Sequence, residues 1–210
     1  SKNEFVIGYV GTFSTWHNID FLMKLINFVC KKNCEIKFIL IGLDYTNKNF
    51  LELIEDNKEI KSQIMIMGKL PPKVKDYFLQ VSDATIITNK NKINNKEFFG
   101  SPIKLFEYMS LGKPIISTKV KNIEDYLKIY TDTIDQNLEN VNGFVIDNDE
   151  STTLKLDQIF DKFYNVINFL KLNSKISNKI GENSRNHFLK NYTWEANINK
   201  LLYVIKNEYK

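Results

Sequence analysis

The sequence has few of the residues on which several protein classes depend. Cys30 and Cys34 are its only cysteines, too few for the disulfide framework of a small secreted domain, so we expect a reducing, cytoplasmic setting. His17 and His187 are its only histidines, which leaves few partners for a zinc site. We therefore expect no metal.

Long apolar runs and a concentration of one charge are also missing. Lys, Asp or Asn interrupts every apolar run before the roughly 18 residues that a membrane-spanning helix needs. The net charge is only +4, and the lysines are spread along the whole chain, so we expect no binding to nucleic acid. Two interpretations of the lysines stay open: a solvated surface, or local binding of an anion such as phosphate or an anionic membrane face.

Short apolar runs at even spacing are what the sequence does contain. Hydrophobic residues make up 43% of the 210 positions, enough for one globular domain with a sizeable core. Several runs are nearly continuous in Val and Ile, as in strands that are covered on both faces. The predicted strands are 5–10, 36–41, 64–67, 84–87, 114–117 and 143–146.

Segments with helical period separate these strands. The apolar stripes are Ile19/Leu22/Ile26/Val29, Phe50/Leu53/Ile54 and Val74/Phe78/Val81. Strand then helix, repeated about five times, predicts an α/β fold with a doubly wound, mostly parallel sheet and right-handed crossovers.

Three further helices are expected at the C-terminal end of the chain. Two lie within 151–163 and 175–189, and the last follows Thr193, a candidate N-cap. The last helix carries an apolar stripe: Trp194, Ile198, Leu201, Leu202 and Ile205.

The loop after the first strand is one candidate binding site, because ligands of open parallel sheets bind beyond the carboxyl ends of the strands. Gly11 permits a tight turn there and a close approach of backbone to ligand. The loop lacks the glycine spacing of a dinucleotide fingerprint and the Gly-Lys-Ser/Thr ending of a P-loop. His17 is either a half-buried polar residue or a contact to a phosphate or hydroxyl.

The stretch 97–114 is the most informative part of the sequence. Ser101 is a candidate N-cap and Pro102 a favoured first helical residue, so backbone amides and Lys104 together form a candidate anion site. Glu107, one turn deeper, could accept hydrogen bonds from both hydroxyls of a ribose-like diol, or be an ordinary exposed helix carboxylate. In the loop after the third strand, Gly68 is either a backbone approach for a flat base or a plain turn.

At these residues the chain resembles the C-terminal, donor-binding half of GT-B glycosyltransferases, in the family called glycosyl transferases group 1 or glycosyltransferase family 4. Eight short matches occur in order along nearly the whole chain. They are Gly-Tyr-Val-Gly11, Ile39-Leu-Ile-Gly42, Ile66-Met-Gly68-Lys-Leu, Ser82-Asp-Ala84, Ser-Pro-Ile-Lys104-Leu-Phe-Glu107-Tyr-Met, Gly-Lys-Pro114-Ile-Ile, Asn142-Gly-Phe-Val-Ile146 and Tyr192-Thr-Trp194-Glu195.

The resemblance implies a role for each matching position. Glu107 would hold the donor ribose hydroxyls. The remaining donor contacts would be Gly11 and Thr12 at the diphosphate, Ser101, Pro102 and Lys104 at the diphosphate or sugar, and Gly68, Lys69 and Leu70 at the base.

The chain departs from the family pattern at two places. Many members have an Arg after the first-loop glycine and a Lys before the first helix, where this chain has Thr12 and, approximately, His17. Neutralisation of the diphosphate would then depend on amides, Lys104 and His17. The family's glutamates lie eight residues apart, which would place the first at Phe99, whereas the nearest acid is Glu97. We expect Glu97 and Lys104 as the catalytic candidates.

The family's chemistry supplies the functional expectation. Residues 1–210 would be a single Rossmann-like domain that binds a nucleotide sugar, with the N-terminal acceptor domain missing and little transfer by this domain alone. The whole enzyme would be a retaining glycosyltransferase that moves a hexose-type sugar from a UDP- or GDP-sugar to a glycan or lipid-linked acceptor. The setting would be bacterial surface polysaccharide synthesis, without cofactor or metal, in the cytoplasm and with peripheral association at the inner face of the membrane.

Two other interpretations stay open. The chain could be half of a GT-B sugar-nucleotide epimerase or phosphorylase. It could also be a non-catalytic Rossmann-like scaffold, which the absent Arg/Lys pair favours. If a partner domain is missing, part of the apolar stripe of the last helix should be exposed.

Overall fold

A six-stranded parallel sheet forms the centre of the molecule. The structure is a computed structural model that describes residues 3–43, 46, 48–55, 58–94, 96–97, 103–127, 138–148 and 155–208. Its strands are β1 (Phe5–Val10), β2 (Ile36–Ile41), β3 (Ile64–Gly68), β4 (Ala84–Ile87), β5 (Lys92–Ile93), β6 (Lys96–Glu97), β7 (Ile115–Thr118) and β8 (Phe144–Ile146). The sheet order is β3-β2-β1-β4-β7-β8, and β5 and β6 form a separate antiparallel hairpin.

Helices cover both faces of this sheet, which confirms the doubly wound α/β prediction. They are α1 (Ile19–Lys32), α2 (Lys48–Glu55), α3 (Pro72–Val81), α4 (Ile103–Ser110), α5 (Lys121–Glu124), α6 (Leu156–Leu172), α7 (Ser174–Asn191) and α8 (Trp194–Glu208). One apolar cluster joins the sheet to α1, α2 and α6. A second joins it to α3, α4 and α5. The Val- and Ile-rich strands are buried because both faces carry helices.

Helix α3 packs differently from its predicted stripe. Val74 and Val81 are 39% and 66% exposed, whereas Leu79 is completely buried. The reason is the close approach of α3 to β1, where a Cβ built on Gly8 would lie 3.1 Å from Leu79 Cδ2. Leu79 fills that space, and the helix is rotated so that the two valines face outward.

Helix α8 begins and packs as its sequence predicts. The Ala196 N–H donates to Thr193 Oγ1 at 3.1 Å, so Thr193 is the N-cap. Trp194 is 85% exposed and Leu201 60%, which confirms the expected exposure of the apolar stripe. No helix in the described part of the chain has the length and apolar character to cross a membrane.

Candidate functional site

The sheet order places a crevice at the carboxyl ends of β1 and β4. These neighbouring strands are parallel, and the chain proceeds from β1 toward β2 on one side and from β4 toward β7 on the other. Loops that diverge in this way leave a gap where ligands of open α/β sheets bind. The loop that starts at Gly11 and the residues after Ile87 line its two sides.

Three strand-end glycines pack backbone against backbone beside this crevice. The Gly11 N–H donates to Ile41 O at 3.0 Å, and a Cβ on Gly42 would lie only 2.3 Å from Gly11 O. The Gly42 N–H donates to Gly68 O, and the Gly68 N–H donates to Leu43 O. Gly42 and Gly68 both have positive φ, 88° and 59°. The first, second and third strand-end loops are therefore held together as one surface.

His17 fastens the first loop to itself and to the loop after β4. Its Nδ1 lies 3.0 Å from Thr12 N and 2.9 Å from Thr12 O, so this nitrogen is committed to Thr12 in either tautomer and a ligand would meet Nε2. Thr88 Oγ1 donates to His17 O at 3.0 Å. Desolvation and the positive charge of Lys104 lower the pKa of His17. The hydrogen bond to the Thr12 backbone raises this pKa, but by less. A neutral imidazole would act as a hydrogen-bond donor or acceptor and not as the expected cation.

Lys104 carries its ammonium group into the crevice. Its Nζ lies 3.4 Å from Asn89 Oδ1 and 5.2 Å from the centre of the Tyr9 ring. Asn89 is buried, and its backbone carbonyl oxygen accepts a hydrogen bond from Thr118 Oγ1. The residue that contacts Lys104 is therefore itself held in place. Desolvation lowers the pKa of Lys104 to about 7, although the charge of Glu107 acts in the other direction. A desolvated ammonium whose hydrogen-bond partner among the described residues is the neutral Asn89 would gain much from a bound anion.

Tyr9 is completely buried beneath the loop that starts at Gly11. Its hydroxyl is buried and has no hydrogen-bond partner among the described residues, and burial raises its pKa. A Cβ on Gly11 would lie 2.1 Å from this hydroxyl, so the absence of a side chain at Gly11 makes room for Tyr9.

Glu107 is paired with Lys75 from another helix. The distance from Lys75 Nζ to Glu107 Oε1 is 2.6 Å, and Asp76 Oδ1 lies 3.5 Å from the same ammonium. Desolvation opposes the charged form of Lys75, but the hydrogen bond and charge of Glu107, with help from Asp76, raise its pKa above the ordinary value. The neighbouring Tyr108 accepts a hydrogen bond from the Val10 N–H at 2.8 Å, which ties α4 to β1.

The other predicted site residues have different outcomes. Glu97 lies exposed on the β5–β6 hairpin, and its ion pair is with Lys121 at 3.7 Å and not with Lys104. Ser101 and Pro102 lie outside the described residues. Lys69 is exposed and Leu70 is partly buried beside the second apolar cluster. Within the described ranges, no group of three or more His, Cys, Asp and Glu side chains could hold a metal ion.

Asn89, Lys75 and Tyr9 are the site residues that sequence reasoning missed. Asn89 had a usable signal, because it follows the carboxyl end of a predicted strand. Lys75 had no such signal, because it is one lysine among many and lies 32 positions before Glu107 in the sequence.

A cavity of about 380 Å³ lies at the opposite, amino-terminal edge of the sheet. It is lined in part by Glu35, Asp83, Lys113 and Lys171. Lys171 is paired with Glu35 at 2.6 Å, and Asp83 accepts a hydrogen bond from the Val6 N–H. Lys171 and Asp83 thus have charged or backbone partners, whereas Lys104 has a neutral one, so this cavity is the weaker candidate for an anion site.

Comparison with known families agrees with this geometry. The sequence profile named Glycosyl transferases group 1 matches residues 1–187. The chain belongs to this family. The match includes every predicted site residue from Gly11 to Glu107 and extends through most of α7.

Two bacterial relatives are similar in sequence. A poly(ribitol-phosphate) alpha-N-acetylglucosaminyltransferase of Staphylococcus aureus is 20% identical over 204 residues, 96% of this chain and 35% of its own length. A Bacillus subtilis protein whose name assigns it to teichuronic acid biosynthesis as the glycosyltransferase TuaH is 27% identical over 131 residues, 61% of this chain and 30% of its own length. The chain thus spans about a third of the length of the curated relatives that it matches.

The fold matches solved GT-B glycosyltransferases. One similar structure is that of Anabaena Alr3699/HepE in complex with UDP-glucose, with a TM-score of 0.69 and 16% identity over 97% of this chain and 49% of that one. This agreement confirms the GT-B resemblance at the level of the fold.

Proposed function

We propose that this chain is the donor-binding part of a retaining glycosyltransferase that takes a hexose-type sugar from a UDP- or GDP-sugar. One observation carries the proposal: a poorly partnered, desolvated lysine and an ion-paired glutamate lie on the same short helix at the crevice beside Gly11. Family membership and the UDP-glucose complex of a structure with the same fold favour a nucleotide-sugar donor over other anionic ligands.

In this proposal the diphosphate lies beside Lys104 and the first loop. The Lys104 ammonium would gain an ionic partner, and the imidazole of His17 would offer its Nε2. Gly11 and Thr12 would approach the diphosphate with their backbone atoms. The Thr12 N–H already donates to His17 Nδ1 when that nitrogen is unprotonated. The Ser101 N–H is a further expected donor, and Pro102, which has no N–H, would only contact the diphosphate or sugar.

The nucleoside lies toward α3 and the third strand-end loop. Glu107 would accept hydrogen bonds from the ribose hydroxyls. The Gly68 N–H and C=O are both used by the second loop, so the base would meet the backbone of Lys69 and Leu70 instead.

Lys104 supplies the electrostatic part of the transfer. When the bond between the anomeric carbon and the diphosphate oxygen breaks, negative charge grows on the leaving diphosphate, and a fixed ammonium in a desolvated site stabilises that charge. The bond to the acceptor oxygen forms on the same face of the sugar, and the proton of the acceptor hydroxyl passes to the leaving diphosphate. Glu97 would orient the sugar only after the β5–β6 hairpin had moved toward Lys104.

The acceptor belongs to a second domain of the whole enzyme. We propose a glycan or lipid-linked acceptor in surface polysaccharide synthesis, on the cytoplasmic side and at the inner face of the membrane, because the relatives are named for poly(ribitol phosphate) and teichuronic acid. The isolated chain would bind donor and transfer little.

Calorimetric titration of the 210-residue chain with UDP, GDP, UDP-glucose and GDP-mannose tests the proposal. We expect saturable binding of one nucleotide series, weakened at least about tenfold by Glu107→Ala, because hydrogen bonds to a charged group are lost. Glu182→Ala, at an exposed position of α7, is the matched control and should bind normally. No binding to any probe would contradict the proposal and favour a scaffold, and equal binding by the Glu107 variant would contradict the assignment of Glu107 to the ribose.

A further inference from the structure

The contact between Lys75 and Glu107 joins two helices at the edge of the crevice. Lys75 lies in α3, directly after the loop that contains Gly68 and Leu70, and its own N–H donates to Pro71 O at 2.9 Å. Only 15% of the Lys75 side chain and 34% of the Glu107 side chain are exposed. The ammonium is therefore held in one place by a short, partly desolvated ion pair.

Folding stability does not account for this arrangement. Partly exposed ion pairs contribute little to stability, so the raised pKa of Lys75 corresponds to only a small stabilising contribution. Helix α3 is already anchored by Leu79, which is completely buried against β1, and by the partly buried Phe78. Lys75 is thus not needed to hold the helix on the sheet.

The ion pair does determine how the carboxylate of Glu107 can meet a ligand. With Oε1 engaged by Lys75, the position of the carboxylate is restrained and Oε2 is the oxygen that remains for hydroxyls. Lys104, three residues earlier on the same helix, acts on Glu107 through its charge. The carboxylate is therefore in contact with Lys75, beside the base loop, and interacts with Lys104 through charge alone.

We propose that Lys75 is a positioning residue that holds Glu107 for the ribose hydroxyls and so gives the site its preference for ribonucleotides over dideoxyribonucleotides. The inference rests on the proposed donor site. It assigns to Lys75 no contact with the phosphates and no part in the chemical step.

Affinities for matched nucleotides test the proposal. UDP and 2′,3′-dideoxy-UDP, with GDP and 2′,3′-dideoxy-GDP in parallel, are titrated into wild type, Lys75→Met, Lys75→Arg and Lys73→Met. We expect Lys75→Met to weaken binding of the ribonucleotide about tenfold and to leave binding of the dideoxy form nearly unchanged. Lys75→Arg should restore most of the preference. Lys73→Met removes the same charge at an exposed position of α3 and should change neither affinity.

A second readout needs no nucleotide. Nitrogen NMR of the Lys75 ammonium should show a raised pKa in wild type that falls toward the ordinary value in Glu107→Gln. An unchanged pKa would show that the ion pair does not exist in solution and would overturn the inference.

The outcomes separate this inference from the proposed function. If wild type binds and Glu107→Ala binds poorly while Lys75→Met is normal, the inference is wrong and the donor site stands. Equal losses for ribo- and dideoxynucleotides in Lys75→Met would assign Lys75 to the phosphates or to the fold and would also overturn it. If wild type binds none of the four nucleotides, both the proposed function and the inference fail.

Discussion

The Lys104 ammonium lies 5.2 Å from the centre of the Tyr9 ring, and the hydroxyl of that tyrosine is buried without a hydrogen-bond partner among the described residues. A cation over an aromatic face gains some stabilisation, but much less than it loses on leaving water. The free protein therefore holds an under-compensated charge at the place where an anion is proposed to bind. Four predictions concern this charge, the loops beside it and the exposed helix.

Removing the charge of Lys104 should stabilise the ligand-free protein. The pKa of Lys104 is about 7 in the folded chain and near 10.5 in the unfolded chain. Between these two pH values the unfolded state binds more protons than the folded state. The destabilising contribution of Lys104 therefore decreases as the pH rises. Lys104→Met should then be more stable than wild type by about 2–4 kcal/mol at neutral pH, with the advantage shrinking toward about pH 10. Urea denaturation at both pH values measures the difference. A variant that is less stable at neutral pH would contradict the assigned pKa.

Donor binding should take up protons through Lys104. A bound diphosphate favours the ammonium, so the pKa of Lys104 rises on binding, and affinity falls as the pH increases above about 7. Calorimetry in buffers of different ionisation enthalpy counts the protons. Lys104→Arg remains charged throughout and should bind with less proton uptake than wild type. Equal uptake in both proteins would assign the proton to another group.

Alanine should be much more costly at Gly42 than at Gly112, although both have positive φ. At Gly112, with φ of 68°, the nearest atom to an added Cβ is 3.6 Å away, so only the backbone penalty of about 1–2 kcal/mol applies. At Gly42, with φ of 88°, the Cβ would lie 2.3 Å from Gly11 O, and the cost should exceed about 3 kcal/mol. Chemical denaturation compares the two. Gly42→Ala should also weaken nucleotide binding, because it displaces the Gly11 loop. If the Gly42→Ala variant is as stable as wild type, the two loops are not in contact.

The exposed face of α8 should make the isolated chain self-associate. Leu201 and Ile205 are 60% and 47% exposed, one helical turn apart, next to other apolar side chains. We expect binding of a hydrophobic dye and a concentration-dependent sedimentation coefficient, both reduced by the double variant Leu201→Glu and Ile205→Glu.

Leu172→Glu is the control for that experiment. Leu172 is 69% exposed at the end of α6, outside the α8 face, and its replacement should not change association. A monodisperse wild-type monomer without dye binding would contradict the prediction.

The fold could be predicted almost completely from local pattern, because continuous Val- and Ile-rich runs separated by amphipathic segments specify strands covered on both faces. The prediction failed where packing decides the face of a helix. Val81 was expected inside and lies outside, because Leu79 takes the space beside Gly8. The two-residue strands β5 and β6 are too short to have a periodicity of their own.

The candidate site was predictable where a residue's position follows from its strand, and not where it depends on tertiary contact. Gly11 and Lys104 follow from the rule that ligands bind beyond the carboxyl ends of strands. The Lys75–Glu107 pair depends on the packing of two helices, and no short-range pattern encodes it. The lowered pKa of His17, which argues against a cationic role, depends on burial and on Lys104.

A crystal structure of the chain grown with UDP, and another grown with GDP, tests the central claim most directly. The account predicts nucleotide at the carboxyl edge of the sheet, with the ribose hydroxyls on Glu107 and the diphosphate beside Lys104 and Gly11. Nucleotide in the cavity at the amino edge, near Lys113 and Lys171, or at the carboxyl edge without contact to Glu107 and Lys104, would contradict it.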